Sequence, residues 1–441
     1  MTKPNILYIH THDIGRYVQP YGYAVPTPNI QRLAEVGVLF RQAFCANPTC
    51  SASRAALLTG MYPHNNGMTG LAHRGWSLND YCQHIVHTLR AAGYTTVLSG
   101  VQHVASHTHG ENRYASEAWK TIGYDRYLGD AHEAEKRAIE FLENAPEQPF
   151  FLAVGFGDTH REFEPLNGLD DPRYCRPPDP LPDMPETRED MARFKASART
   201  LDAKMGEVLD ALETTGLADN TLIICTTDHG LAFPRMKCTL TEGGIGVMLI
   251  VRGPGGFAGG RVIDSLVSHI DIFPTLCELL DIDPPEWLQG VSLMPLIRGD
   301  VASVRDEIFA EVNYHAAYEP QRCIRTSRWS YIRRYDGRTR PVLPNCDDGL
   351  SKTLWMEHGW ADLPPDEEAL YDLIFDPHEV HNLVDDPRVA DVLADLRARL
   401  EAWMRATDDP LLRGPVPAPA GAVVNDVDGI SPGDRPGPVG N

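Results

Sequence analysis

Residues 5–13, which read NILYIHTHD, contain the pattern that decides the fold: an apolar run that ends directly in polar side chains. The run Asn5–His10 is short and includes β-branched and aromatic residues, which is typical of a strand. His12 and Asp13 follow at its carboxyl end.

Similar apolar runs recur along the first two thirds of the chain and alternate with helical patterns. The predicted strands are Asn5–His10, Thr95–Ser99, Pro149–Phe156, Thr221–Thr226 and Gly246–Val251. The predicted helices are Asn29–Val36, Ser53–Leu58, Asn79–Ala92, His132–Asn144 and Arg193–Thr215. This alternation predicts an α/β fold in which a large, mostly parallel sheet is sandwiched between helices.

A change of pattern near Asp306 predicts a second, smaller α+β domain. Its expected elements are strands at Ile308–Val312, Gln321–Thr326 and Trp329–Arg334 and a helix at Val389–Ala406. The predicted division is a catalytic domain at 1–305, a C-terminal domain at 306–409 and a Pro/Gly-rich tail at 410–441. We expect the tail to be mobile or packed on a neighbouring molecule, and the Pro-rich stretch 165–185 to be an irregular loop.

Charge and composition exclude several classes of protein. The 441 residues include 40 Lys+Arg and 61 Asp+Glu, and the resulting net charge of −21 argues against a nucleic-acid-binding surface. We also expect no membrane partner, since no apolar stretch is long enough to span a bilayer. The nine scattered cysteines form no CxxC pair, which disfavours a disulfide framework or a structural zinc site. Without a recognisable secretion signal, a cytoplasmic location is expected.

Polar side chains follow several of the predicted strands, at the point where each strand ends. They are His12 and Asp13, His103, Asp158 and His160, and Asp228 and His229. Ligands of open α/β sheets bind beyond the carboxyl ends of the strands, so these side chains are expected to lie together. Carboxylates and imidazoles are ligands of divalent cations. The pattern therefore favours a metal-centred site, although each residue by itself could simply cap a turn.

The run at residues 48–60, PTCSASRAALLTG, is the most specific feature of the chain and is predicted to be a loop that enters a helix. Cys50 would lie at the first turn, where free N–H groups and the helix dipole favour an anion and lower the pKa of a thiol. Ser53 is expected to cap the helix and Arg54 to hold a charge. The alternative is a buried, inert cysteine in front of an ordinary helix.

Taken as a whole, this run resembles the signature of the sulfatase family, with Ala52 where the family usually has Pro. Further resemblances follow in the family's order between about residues 5 and 412. They are 93–103 (GYTTVLSGVQH), 158–160 (DTH), 227–230 (TDHG), 237 with 242–244 (EGG), 268–275 (SHIDIFPT) and 370–383. Residues 64–68 (HNNGM) and 408–410 (DDP) are most similar to the N-sulfoglucosamine sulfohydrolase branch.

The resemblance implies an alkaline-phosphatase-like fold and a sulfuric ester hydrolase that acts on sulfate esters or sulfamates. It implies that Cys50 is oxidised to formylglycine, the nucleophile, which makes a formylglycine-generating maturation enzyme a partner. It also implies one divalent metal, held by Asp13, Asp228 and His229, with His12 as a further candidate.

The resemblance further implies a role for each catalytic residue. Arg54 would hold the nucleophile or lower its pKa. Lys237 and His160 would bind the sulfuryl group and protonate the leaving atom. His103 would be the base that regenerates the aldehyde.

Some positions depart from the usual sulfatase pattern: His12 replaces an Asp, Val101 a Lys and His229 an Asn. Nitrogen ligands favour Mn²⁺ or another transition metal, with Ca²⁺ as the alternative. His229 after Asp228 resembles the phosphonate monoester hydrolases and phosphodiesterases, so a hydrolase of that kind is the second hypothesis. A non-catalytic binding protein with a decayed site is the third.

Three further residues, His64, His315 and Arg322, fall in segments that follow family-like motifs, and we predict that they line the substrate pocket. The alternative is that they are polar residues of exposed loops. The expected substrate is a small anion that carries a sulfate, phosphonate or phosphodiester group. The sequence does not determine the oligomeric state, and a homo-oligomer is one candidate.

Overall fold

An eight-stranded sheet forms the centre of the large domain in this computed structural model, which describes residues 3–106 and 117–439. Its strands are β1 (Asn5–Thr11), β2 (Val38–Phe44), β3 (Thr95–Gly100), β4 (Arg126–Tyr127), β5 (Phe150–Gly155), β6 (Thr221–Thr227), β7 (Leu249–Arg252) and β8 (Arg261–Ser268). Their order is β4-β3-β5-β1-β6-β7-β2-β8, and the two pairings of β7 are antiparallel while the other described pairings are parallel. The predicted α/β class, with a mostly parallel sheet, is confirmed.

Helices cover both faces of this sheet. They are α1 (Pro28–Val36), α2 (Cys50–Thr59), α3 (Pro63–Asn66), α4 (Ile85–Ala91), α5 (Ala118–Ile122), α6 (Ala134–Glu143), α7 (Pro185–Thr214), α8 (Glu242–Ile245), α9 (Ile272–Leu279) and α10 (Met294–Arg298). Every residue of β1 is buried, and successive side chains join different hydrophobic clusters: Ile6 and Tyr8 one, Leu7 and Ile9 the other. Among the described residues, no helix combines the length and apolar character that crossing a bilayer requires.

A smaller, antiparallel sheet follows, in the order β12-β11-β10-β9. Its elements are β9 (Glu307–Tyr314), β10 (Tyr318–Thr326), β11 (Trp329–Arg334) and β12 (Glu368–Asp372), with helices α11 (Leu350–Glu357) and α12 (Ala390–Ala406). This is the smaller α+β unit that the sequence predicts after Asp306. Helix α12 packs its buried leucines, Leu393, Leu396 and Leu400, into a hydrophobic cluster with residues of this sheet.

Several elements differ from the sequence prediction. Strands β2 and β8 were not predicted, because charged or polar side chains interrupt them: Arg41 and Gln42 in β2, and Arg261, Asp264 and Ser265 in β8. The helix predicted at 79–92 is shorter, Ile85–Ala91. Helix α7 begins at Pro185 rather than near Arg193, since proline is well tolerated in the first turn, where its missing N–H has no helical partner.

The tail after Pro410 packs on its own chain, which corrects the expectation of a mobile or neighbour-bound arm. Val416 and Ala422 are buried, and the short strands β13 (Val423–Val424) and β14 (Gly437–Pro438) pair with each other. The guanidinium of Arg74 donates to the side chain of Asn425 at 2.6 Å. The stretch predicted to be irregular, 165–185, is so up to residue 184 apart from a short turn of 3₁₀ helix at Pro172–Tyr174, and Pro185 already begins α7.

Candidate active site

The carboxyl ends of the parallel strands bring the predicted polar residues to one edge of the sheet. Strands β1 and β6 are hydrogen-bonded neighbours in register, so the residues that follow them, His12–Asp13 and Asp228–His229, meet. The backbone N–H of Asp13 donates to Oδ1 of Asp228 at 2.9 Å. Asp13 adopts a left-handed φ of +44°, which is uncommon for a non-glycine residue.

Carboxylates and imidazoles form a dense buried cluster at this edge. His12 Nδ1 lies 2.8 Å from Asp13 Oδ1 and 3.2 Å from Asp228 Oδ2. His229 Nε2 lies 3.3 Å from the same Asp13 oxygen and 3.7 Å from the same Asp228 oxygen. One ligand atom from each of His12, Asp13, Cys50 and Asp228 falls within 4.8 Å of the others. Two carboxylates with adjoining nitrogen donors fit one divalent cation, and transition metals suit such a mixed set.

Arg54 is held rigidly beside this cluster by protein groups. Its Nη2 donates to Asp228 Oδ2 and to the carbonyl of Thr11, each at 2.9 Å. Its Nη1 contacts Nδ1 of His10, a residue that sequence reasoning missed because it lies inside the strand. The expectation that Ser53 caps α2 is wrong. Its hydroxyl instead donates to the carbonyl of Asp228 and so joins the helix to the end of β6.

Cys50 occupies the first turn of α2, and its thiol faces the cluster. Its Sγ lies 3.4 Å from Nε2 of His229, and only 2% of the residue is exposed. Burial raises the pKa of the Cys50 thiol well above its ordinary value, although the nearby charge of Lys237 lowers it. The expected decrease in this pKa is therefore wrong, because the low-dielectric surroundings of the thiol outweigh the helix terminus.

Lys237 bridges the cluster and the second domain. Its Nζ lies 2.9 Å from Asp13 Oδ2 and 2.9 Å from Asp347 Oδ2. Burial opposes the charge on Lys237, but the two carboxylates outweigh it and hold the pKa of Lys237 well above its usual value. Asp347 lies in an irregular stretch before α11 without a recognisable motif, so no local sequence signal could have identified it.

The charges of the site stabilise one another. Burial opposes ionisation of Asp13, but Lys237 and the imidazoles of His12 and His229 keep its pKa well below the ordinary value. The pKa of Asp228 is lowered in the same way, by His12, His229 and Arg54 against the effect of burial. Both carboxylates are therefore ionised and available to a cation.

Two histidines that follow strands β3 and β5, His103 and His160, complete the site. The ring of His160 packs edge-on against His12, with centroids 4.7 Å apart. Burial and the charge of Lys237 lower the pKa of His160 to about 4, so its imidazole is neutral at neutral pH. His103, whose centroid is 6.3 Å from that of His12, contacts His73 through ring nitrogens 3.1 Å apart. His73 was not predicted to have a role.

The three predicted substrate-binding residues are not placed together. His315 is buried, and Lys237 and Asp347 are among the charges that act on its pKa, so it adjoins the site; its Nδ1 has no hydrogen-bond partner among the described residues. His64 and Arg322 instead lie in a separate buried ion cluster with Glu311 and Asp409.

In that separate cluster, the side chains of His64 and Arg322 both contact carboxylates of the protein. Arg322 makes a bidentate contact with Asp409, at 2.5 Å from Nε and 2.9 Å from Nη2, and is 0% exposed. The Nδ1 of His64 contacts a carboxylate oxygen of Glu311. The structure therefore does not bring His64 or Arg322 to the substrate side of the site, because the buried charge of Arg322 requires these paired carboxylates and His64 contacts one of them.

Comparison with known proteins identifies the class to which this fold and site belong. The sulfatase family model matches residues 4–282, and the model of the N-sulphoglucosamine sulphohydrolase C-terminal region matches residues 230–343. The chain belongs to the sulfatase family, as the sequence resemblance implies, and is a sulfuric ester hydrolase.

Particular relatives cover most of the chain. Human N-sulphoglucosamine sulphohydrolase is 28% identical over 445 residues, which cover 89% of this chain and 88% of the relative. An ulvan-active sulfatase of Formosa agariphila is 26% identical over 463 residues, covering 92% of this chain and 76% of the relative.

Solved structures share the fold at lower identity. A protein in complex with its substrate D-glucosamine-2-N,6-O-disulfate superimposes with a TM-score of 0.71 at 20% identity, covering 92% of this chain and 98% of that one. The phosphonate monoester hydrolase of Agrobacterium radiobacter gives a TM-score of 0.70 at 22% identity, covering 92% and 96%. The smaller domain after the large sheet is thus part of an architecture common to these enzymes.

Proposed function

We propose that this chain hydrolyses a sulfate ester or sulfamate of a small molecule by means of a formylglycine made from Cys50 and one divalent metal. The observation that carries this proposal is the position of Cys50. Its Sγ lies at the head of α2, 3.4 Å from His229, in the same buried cluster as His12, Asp13 and Asp228. An aldehyde hydrate at this position would bind the cation, and the sulfate group of a ligand would contact Lys237.

The metal would be held by Asp13, Asp228 and His229, with His12 alongside, and it would supply Lewis-acid stabilisation of negative charge on oxygen. The residues of the chain do the rest. Arg54, fixed by Asp228 and Thr11, places a permanent positive charge beside the nucleophile.

Lys237 is the group best suited to bind the sulfuryl oxygens, since its two carboxylate partners keep it charged inside the site. His160 is neutral in the substrate-free protein, so it would serve as a hydrogen-bonding group for the leaving atom, with Lys237 as the charged donor. His103, held against His73, is the proposed base that restores the aldehyde.

A sulfated amino sugar is the first substrate class to test. One relative bears the name N-sulphoglucosamine sulphohydrolase, and one solved neighbour holds D-glucosamine-2-N,6-O-disulfate. His315 and Asp347, which adjoin Lys237, are the candidates that would contact the sugar.

Cys50 is 2% exposed, so a maturation enzyme would have to reach it before the chain folds. We also propose a reducing compartment such as the cytoplasm. All nine cysteines lie in the described ranges and carry free thiols, and most of them are buried in the core.

Co-expression with a formylglycine-generating enzyme is expected to convert Cys50 and to produce aryl sulfatase activity. Mass spectrometry of the peptide that contains Cys50 should show the thiol replaced by an aldehyde, and turnover should rise with the converted fraction. Cys50→Ala should be inactive, whereas Cys225→Ala, which removes a buried thiol from β6, should keep its activity. Full activity in protein that carries only unmodified cysteine would refute the proposal.

Promiscuity toward phosphonate or phosphodiester substrates is also expected, because Val101 stands where sulfatases usually have a Lys and is fully buried. A site that lacks this cation should distinguish less sharply between sulfate and other oxyanion esters. Val101→Lys should raise the ratio of kcat/KM for an aryl sulfate to that for an aryl phosphonate roughly tenfold or more, since a hydrogen bond to a charged group contributes about 1.5–3 kcal/mol.

Val101→Met, similar in length but uncharged, is the matched control and should leave that ratio unchanged. Wild-type protein without activity on the phosphonate or phosphodiester at high enzyme concentration would contradict the expectation.

A further inference from the structure

A second set of metal-ligating atoms overlaps the site that holds the catalytic carboxylates. Ligand atoms of His12, Cys50 and His103 lie within 4.8 Å of one another, and all three residues are buried. This set consists of two imidazoles and a thiol, without any carboxylate. Sulfur and nitrogen ligands suit Zn²⁺ and other thiophilic cations, whereas they suit Ca²⁺ and Mg²⁺ poorly.

The spacing around the sulfur is close to that of a tetrahedral ion. Zinc–sulfur bonds of about 2.3 Å and zinc–nitrogen bonds of about 2.0–2.1 Å place neighbouring ligand atoms about 3.3–3.8 Å apart. His229 Nε2 lies 3.4 Å from Cys50 Sγ, within that range, and His229 can therefore supply a fourth ligand. The pairs among His12, Cys50 and His103, within 4.8 Å, need only a contraction of about 1 Å, which side-chain rotations can provide.

From this arrangement we infer that the unconverted protein carries a thiolate-containing metal site, formed by Cys50, His12 and His103, which takes Zn²⁺ or another thiophilic divalent cation. The cation displaces the thiol proton to solvent and forms a metal–sulfur bond, with no change of oxidation state. Conversion of Cys50 removes the sulfur and thereby abolishes this site. The inference rests on the proposed function only in that Cys50 is the residue that maturation would convert.

The site would therefore mark the immature state of the enzyme. Because Cys50 is almost completely buried, a folded but unconverted chain cannot readily return to the maturation enzyme. Such a chain would differ from the mature one in its metal ligands: a thiolate with imidazoles in the thiol form, and carboxylates with imidazoles in the converted form.

The test uses full-length protein produced without a maturation enzyme, with an intact Cys50 confirmed by mass, and stripped of metal with a chelator. Titration with Co²⁺ should produce a sulfur-to-cobalt charge-transfer band that saturates at one equivalent. Zn²⁺ should displace the cobalt and remove the band, whereas an equal concentration of Ca²⁺ should not.

Single substitutions test which residues bind the metal. Cys50→Ala should eliminate the band, while Cys238→Ala, which removes another buried thiol, should retain it. His103→Ala should weaken Zn²⁺ binding roughly tenfold or more. Unchanged circular dichroism spectra would show that the variants fold.

Cobalt binding without a sulfur band, or a band that persists in Cys50→Ala, would overturn the inference. Neither result depends on turnover, so failure here is distinguishable from failure of the proposed function, which the activity of converted protein tests separately.

Discussion

Removal of the metal is expected to lower sulfatase activity on the order of 10³-fold or more, since a Lewis acid contributes several kcal/mol to transition-state stabilisation. Adding one metal at a time to stripped, converted protein should restore activity better with Mn²⁺ or Zn²⁺ than with Ca²⁺. The reason is the donor set: Asp13 and Asp228 supply oxygen, whereas His229 and His12 supply nitrogen. Full recovery with Ca²⁺ and none with Mn²⁺ or Zn²⁺ would show this reasoning to be wrong.

His229→Asn is expected to move the preference back toward Ca²⁺, because it replaces a nitrogen ligand by an amide oxygen. The ratio of activity with Ca²⁺ to activity with Mn²⁺ should rise by roughly tenfold or more. His358→Asn, at an exposed histidine after α11, is the matched control and should leave the ratio unchanged. An unchanged ratio in His229→Asn would mean that His229 does not bind the metal.

The second large effect concerns stability. Asp409→Asn is expected to lower the free energy of unfolding by about 3–5 kcal/mol, because it removes the charge of the carboxylate that makes the bidentate contact with the fully buried Arg322. Glu311 remains, but its nearest oxygen is 3.7 Å from Arg322 Nε and it also contacts His64. Urea denaturation, followed by circular dichroism, would measure the loss as a lower midpoint.

The neighbouring residue provides the control. Asp408 has an 82% exposed side chain and pairs with Arg413 at the surface, so Asp408→Asn should change stability by less than about 1 kcal/mol. Equal midpoints for the two variants would contradict the role assigned to the buried ion cluster.

The guanidinium of Arg322 explains why His64, Glu311 and Asp409 need no metal, although their ligand atoms lie within 4.8 Å of one another. Arg322 fills the cationic position between the two carboxylates. A histidine such as His64 and an arginine such as Arg322 look the same in sequence whether they face a substrate or a buried carboxylate. The partner that decides between them, Asp409, lies 87 residues from Arg322 in the chain.

Local sequence signals were sufficient for the central elements and for most of the site. Short apolar runs with polar residues at their carboxyl ends predicted β1, β3, β5 and β6, and parallel pairing then requires their ends to meet. The helix that begins at Cys50 could also be predicted, because adjacent residues in the chain encode it. These features depend on neighbours in the chain, which a sequence shows directly.

What only the tertiary structure decided depends on groups that are distant in sequence. The pKa of Cys50 is raised because packing excludes water, an effect that no motif reports. Asp347 joins the site only because the second domain brings it to Lys237, and Ser53 bonds the carbonyl of Asp228 instead of capping its own helix. The sequence by itself determined which chemical groups reach the edge of the sheet. Folding determined which of them are charged, paired or withdrawn into the core, because desolvation and pairing energies depend on every group packed nearby.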